Sequence, residues 1–126
     1  MILVDTSVWV DHLRRANSVL TTLLEQNRVV MHPMVLGELA CGYLHNRHEL
    51  LNLWQRLESL QTVNHDEALY FIEQARLMGR GIGYIDVHLL ASVTLVDGAK
   101  LWTKDKRLAR IAVELNHAWT EPRPDN

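Results

Sequence analysis

The chain has one cysteine, Cys41, so no disulfide can form within it. It also shows no leader of the secretory kind: the apolar start Met1–Val4 stops at Asp5, short of the roughly 7–15 apolar residues of a signal core. Both absences favour a reducing, cytoplasmic setting. No apolar run approaches the roughly 20 residues needed to cross a bilayer, so a membrane is not an expected partner. Basic charge is not in excess either, with 13 Lys and Arg against 15 Asp and Glu and a net charge of −2. That balance does not advertise a strongly basic nucleic-acid binder, although charge segregated over the surface leaves RNA open as a substrate.

Several chemical signatures are missing as well. The glycines of 79–83 belong to neither nucleotide-binding motif and read as a flexible connector. His45 and His48 have no cysteine partners or matching second pair, so they read as surface residues rather than zinc ligands. There is no Ser–His–Asp pattern, internal repeat, low-complexity tract or interdomain linker. A length of 126 residues with 48% hydrophobic content suits one globular domain over 1–126. Residues 121–126, with Pro122 and Pro124, read as a frayed tail.

What is present is alternation. Met1–Val4 is apolar and β-branched, a buried strand, and Asp5-Thr6-Ser7 supplies helix-capping types before a helix over Val8–Arg14. Ser18–Gln26 is amphipathic, and Arg28–His32 reads as a strand. Pro33 suits a first helical turn, and Leu36, Leu39, Ala40, Tyr43 and Leu44 fit a helical stripe. A helix over Arg47–Leu60, a short strand at Gln61–Asn64 and a helix over Asp66–Met78 follow. Ile85–Val96 is helical, Lys100–Thr103 a strand, Lys106–Glu114 a helix and His117–Trp119 a last short strand. Strands alternating with helices, the first strand uniformly apolar, predict a mostly parallel sheet covered on both faces.

Carboxylates sit at the ends of these elements. Asp5 closes the first strand, where open α/β sheets bind ligands. Asp105 closes Lys100–Thr103 across the short link at Lys104. Asp86 stands in the first turn of its helix, whose positive end attracts anions. Glu38 falls opposite the apolar stripe of its helix, on a line with Met34 and Cys41 that faces a cleft, a partner or solvent. Each has a bland alternative: helix caps for Asp5 and Asp105, dipole stabilisation for Asp86, a solvated glutamate for Glu38. Gathered together they would repel unless protons or cations intervened, and hard cations such as Mg²⁺ and Mn²⁺ prefer oxygen ligands. Ser7 is placed to hydrogen-bond Asp5, and Thr103 to share a pocket with Asp105. Arg80, Lys104, Lys106 and Arg107, with Arg110 beside them, are candidate contacts for an RNA backbone. Trp9 reads as a core or dimer residue ahead of a base-stacking one, and Trp54 as part of a protein-contact surface.

Four segments in this order resemble the PIN domain, and in particular the VapC-type toxins of bacterial toxin–antitoxin pairs: Ile2-Leu3-Val4-Asp5-Thr6-Ser7-Val8-Trp9, Gly37-Glu38-Leu39, Asp86-Val87-His88-Leu89-Leu90-Ala91 and Thr103-Lys104-Asp105-Lys106-Arg107-Leu108. The resemblance spans nearly the whole chain. It implies a three-layer αβα sandwich with a central parallel sheet. It implies a Mg²⁺- or Mn²⁺-dependent endoribonuclease leaving a 5′-phosphate, with one or two ions held by Asp5, Glu38, Asp86 and Asp105 and supported by Ser7 and Thr103. It also implies a small cognate antitoxin and a homodimer. A receiver-type signalling domain would want adjacent acids after the first strand, and a haloacid-dehalogenase-like phosphatase an Asp-x-Asp; neither is here. The alternative of a different kind is a PIN-like module that binds RNA or a partner without cutting.

Overall fold

The computed structural model describes residues 1–122; most of the tail expected at 121–126 lies outside the described residues. The chain runs β1 (Ile2–Val4), α1 (Thr6–Arg14), α2 (Ser18–Glu25), β2 (Val29–Val30), α3 (Pro33–Ala40), α4 (Arg47–Arg56), α5 (His65–Ala75), α6 (Tyr84–Leu95), β3 (Lys100–Trp102) and α7 (Lys106–Glu114). β1 lies in the middle of a parallel sheet of order β2-β1-β3, with Ile2 opposite both Val29 and Lys100. Single parallel bridges, Met31 to Ser59 and Leu101 to Ala118, widen the sheet by one position on either side.

This order explains the all-apolar first strand. β2 and β3 flank β1 on opposite sides, and parallel crossovers are right-handed almost without exception, so the two connections place helices on opposite faces of the sheet. Ile2, Leu3 and Val4 are therefore buried whichever way they point. The same reversal of direction opens a crevice beyond the carboxyl ends of β1 and β3, the switch point at which doubly wound sheets bind ligands.

The helices start as capping chemistry dictates. Asp5, Asn17 and Asp105 each accept backbone N–H groups of the helix that follows, and Asn64 forms a reciprocal capping box with Glu67. Three expectations need correction. Residues 61–64 form no strand, because Asn64 is committed to capping α5 and the sheet edge is reached earlier, at Ser59. The stripe expected through Tyr43 and Leu44 stops short, since α3 ends at Ala40, where the Arg47 guanidinium takes the carbonyls of Ala40 and Gly42. The buried side chains of α3 are Val35 and Leu39, and Tyr43 is 96% exposed. Trp54 is no contact surface: it is buried edge-on against Trp9, ring centroids 5.8 Å apart, and joins Trp9 in the core.

Candidate active site

Asp5 stands at the switch point. Its carboxylate is buried beside the end of β1 and accepts three hydrogen bonds. Oδ1 accepts the Thr6 N–H at 2.8 Å, and Oδ2 accepts hydroxyl hydrogens from Ser7 at 2.8 Å and Thr103 at 2.7 Å. Thr103 comes just after β3, so the pairing of β3 with β1 is what brings it there. Thr103 Oγ1 also accepts the Asp105 N–H at 3.1 Å, and Ser7 Oγ accepts the Lys104 N–H at 3.1 Å. The turn that presents Asp105 is thus tied to the group that holds Asp5. Ser7, expected to hydrogen-bond Asp5, does so, and Thr103, expected to share a pocket with Asp105, donates to Asp5 as well.

Glu38 is exposed on α3, away from the buried Val35–Leu39 side, and is not adrift: its Oε1 accepts the Thr6 hydroxyl hydrogen at 2.7 Å. Thr6 is the residue that sequence reasoning passed over. Its position between Asp5 and Ser7 was the available signal, and its backbone N–H to Asp5 and hydroxyl to Glu38 join the two acids. Asp105 caps α7, its Oδ1 accepting the N–H groups of Arg107 at 2.9 Å and Leu108 at 3.1 Å.

Asp86, in the first turn of α6, accepts the Gly83 N–H at 3.3 Å. Burial pushes its pKa up, the Gly83 N–H opposes that, and the charges of Asp5, Asp105 and Glu38 push it up further. All four acids therefore lie in one electrostatic neighbourhood, drawn from four separate segments. They are not packed into a closed cage: among the described residues no three Asp, Glu, His or Cys side chains already form a metal-ligand cluster. The donor set suits a hard cation that keeps part of its water shell, as Mg²⁺ does when held by one or two carboxylates. The caps reported for Asp5 and Asp105 are real too, and the two uses coexist, since a carboxylate has about four acceptor positions.

The candidate RNA-contacting cations divide into two kinds. Arg80 is ion-paired with Glu114 at 2.6 Å, and Lys104 with Asp11, whose pKa is lowered chiefly by that hydrogen bond. Lys106 and Arg107 have no acidic partner among the described residues. Arg107 lies across the glycine-rich connector: a Cβ on Gly81, which has φ +82°, would come within 2.8 Å of its side chain. No helix among the described residues is long and apolar enough to cross a membrane.

Beside Glu38, a groove of about 420 Å³ runs between α1, α3 and the start of α4, lined by Val10, Leu13, Leu39, Tyr43, Leu44 and Leu50.

A family model for the PIN domain matches residues 2–114. Two proteins named Ribonuclease VapC32, from the CDC 1551 and H37Rv strains of Mycobacterium tuberculosis, are each 47% identical over 121 residues, 96% of this chain and 98% of theirs. The crystal structure of PAE2754 from Pyrobaculum aerophilum shares the fold, with a TM-score of 0.58 over 91% of this chain and 94% of that one at 17% identity.

Proposed function

The chain belongs to the PIN-domain family, among its VapC-type toxins, and from that premise we propose that it is a divalent-metal-dependent endoribonuclease, the toxin of a toxin–antitoxin pair in the cytoplasm. The observation that carries the reading is how the acids are tied together: Thr6 gives its N–H to Asp5 and its hydroxyl hydrogen to Glu38, Thr103 links the Asp105 turn to Asp5, and burial with the charges of Asp5, Asp105 and Glu38 raises the Asp86 pKa against the pull of the Gly83 N–H. A site that leaves mutually repelling carboxylates at a sheet's switch point spends stability unless something cationic is to be held there.

Asp5, Glu38, Asp86 and Asp105 are the proposed holders of one or two Mg²⁺ or Mn²⁺ ions. When bound, such an ion would neutralise phosphate charge and lower the pKa of a water it holds, easing that water's deprotonation. The chain's own residues supply the rest. Ser7 and Thr103 fix the direction of Asp5 by donating to one of its oxygens. Thr6 fixes Glu38, and the first N–H groups of α7 fix Asp105. The N-terminus of α6, opening beside Asp86, offers its positive end to a phosphate. Lys106 and Arg107 are proposed to hold the RNA backbone across the site, where neutralising phosphates supplies much of the affinity.

The same reading assigns the groove beside Glu38 to the antitoxin. An apolar segment of a small cognate antitoxin would fill Val10, Leu13, Leu39, Leu44 and Leu50, and a Lys or Arg from it would meet Glu38 and shut the acidic site. A homodimer is proposed with it. The test is cleavage of total RNA with added Mg²⁺, with EDTA, and by the Asp5→Asn protein. Cuts that need metal and vanish in the variant support the proposal. RNA that stays intact in every metal, while still bound, makes the protein a non-catalytic binding module. Light scattering after gel filtration reads the dimer.

A further inference from the structure

Beyond β3, on the side away from β1, residues 117–119 run along the sheet edge. Leu101 gives its N–H to the His117 carbonyl at 2.7 Å, and Trp119 gives its N–H to the Leu101 carbonyl at 2.9 Å. The Trp119 indole leans on the buried Trp102, ring centroids 4.6 Å apart. Trp119 itself is only half-buried, and it lines a cleft of about 240 Å³. Trp102, Thr103 and Lys104 line this cleft from β3 and the turn after it, and Ala109 and Val113 line it from α7. Val113 is 62% exposed, so the cleft presents uncovered apolar surface beside the indole. Thr103 is also the residue whose hydroxyl donates to Asp5 at 2.7 Å, so the cleft shares a wall with the acidic site. Two cations flank it. Ala109 and Val113 fall on one helical stripe with Lys106 and Arg110, in i, i+3, i+4, i+7 spacing. Lys106 and Arg110 are both exposed, and neither has an ion-pair partner among the described residues. Glu121, which also lines the cleft, accepts from Asn17 Nδ2 at 3.4 Å.

We propose that this cleft is a base subsite for the RNA: one unpaired nucleobase stacks on Trp119 while the phosphates flanking it meet Lys106 and Arg110. An aromatic platform set among cations is what single-stranded RNA requires of a protein. The platform is pre-organised, because backbone bonds and Trp102 already fix Trp119, and little freedom is lost when a base lands on it. Lys106 and Arg110 stand about 6 Å apart along the axis of α7, a spacing that serves successive phosphates of an extended strand. Because Thr103 walls both the cleft and the acids, the seated base belongs to a nucleotide close to the bond being cut. A base held inside a duplex cannot reach Trp119, so the cleft selects RNA that is single-stranded at the cut. This inference rests on the reading of the chain as a ribonuclease.

Fluorescence anisotropy on the full chain carrying Asp5→Asn, so that nothing is cut, reads the affinity. The probes are a mixed-sequence single strand of about sixteen nucleotides and the same strand annealed to its complement. Trp119→Leu keeps an apolar side chain against Trp102 and should weaken the single strand at least about fivefold, the low end of what one stacked base supplies. Trp119→Phe keeps a ring and should cost no more than about twofold. Duplex affinity should move by less than about twofold in either variant. The slope of log affinity against log salt should hold in both, whereas Arg110→Ala should lower it by about 1. Single-strand affinity unmoved by Trp119→Leu, or a duplex weakened as much as the single strand, overturns the subsite and leaves the ribonuclease reading standing. If Trp119→Leu fails to fold, Val113→Glu, an exposed change that sets a carboxylate in the cleft, must weaken the single strand at least about fivefold, and unchanged affinity overturns the proposal. A Trp119→Leu chain that keeps its RNA but passes from dimer to monomer in light scattering makes the cleft a contact between copies instead. A chain that binds neither probe, and whose unaltered form leaves total RNA uncut, sinks the ribonuclease reading and the subsite together.

Discussion

Thr103 Oγ1 donates to Asp5 Oδ2 over 2.7 Å, across 98 positions of sequence. This single bond ties the end of β3 to the end of β1 and fixes which way the first acid points. Replacing Asp5 with Asn should lower RNA cleavage by about a hundredfold or more, because several kcal/mol of metal-borne stabilisation are lost at about 1.4 kcal/mol per decade. Thr103→Val should keep the fold and lower cleavage by about tenfold, the cost of misdirecting a ligand rather than removing it. Single-turnover rates on one defined RNA at saturating Mg²⁺ measure both. A Thr103→Val protein as fast as the original would show that Asp5 needs no such support.

Asp86 carries a testable strain. Its folded pKa is raised, so the stability it contributes in the protonated form is fully present below its ordinary value and is lost as pH rises through the folded value. At neutral pH without metal it is a net burden. Asp86→Asn should therefore melt a few degrees higher than the unaltered protein in EDTA while losing cleavage. Added Mg²⁺ should raise the melting temperature of the unaltered protein and leave that of the variant nearly where it was. Scanning fluorimetry across the four conditions checks it; a variant that melts lower in EDTA would mean Asp86 is held there by its own hydrogen bonds.

Acid should loosen the fold through His32. Burial, with the charge of His88, holds its pKa down at about 4 from an ordinary 6.5. Its contribution is thus present above 6.5 and is lost as pH falls toward 4, where the unfolded chain takes up a proton that the folded chain refuses. The full span is on the order of 3 kcal/mol at 1.36 kcal/mol per pKa unit. Urea unfolding at several pH values should give a slope that flattens in His32→Asn. An unchanged slope would assign the acid sensitivity elsewhere, first to His88, whose pKa burial also lowers.

The cations divide by whether they already have partners. Lys106→Ala and Arg107→Ala should each weaken RNA binding across sequences and reduce the slope of log affinity against log salt by about 1. Arg80→Ala should change RNA binding less, since Glu114 already engages its guanidinium, and should alter stability by no more than about 1 kcal/mol, as exposed pairs do. Filter binding with Asp5→Asn as the background, to prevent cleavage, reads the difference. Slopes for Lys106→Ala and Arg107→Ala equal to that of the Asp5→Asn background would remove both residues from the interface.

The local rules of the chain reached far. An unbroken apolar run at Ile2–Val4 meant a strand covered on both faces, and Asp5 and Asp105 offered caps for the helices that follow them, whereas Asn64, read as the end of a strand, turned out to cap α5. The resemblance of four short segments to one family then named four acids that no period could have united. Periodicity misled at α3, where the stripe ran on to Tyr43, because Arg47 closes the helix from seven residues beyond Ala40 and nothing in a helical pattern encodes that contact. It misled at Trp54 too, since an aromatic on a helix looks alike whether it meets a partner or Trp9.

What the sequence by itself determined, then, is much of what depends on near neighbours: the strands at Ile2–Val4 and Lys100–Trp102, the helices that follow them, and the acids at element ends. Only the tertiary structure decided which of those ends meet. The β2-β1-β3 order brings Thr103 to Asp5, Thr6 takes hold of Glu38, and Asp86 falls within the field of three other carboxylates. The reason is physical: a hydrogen bond or a Coulomb repulsion depends on distance in space, and the distance between residues tens of positions apart is set by how strands pair and helices cross, which no local pattern records.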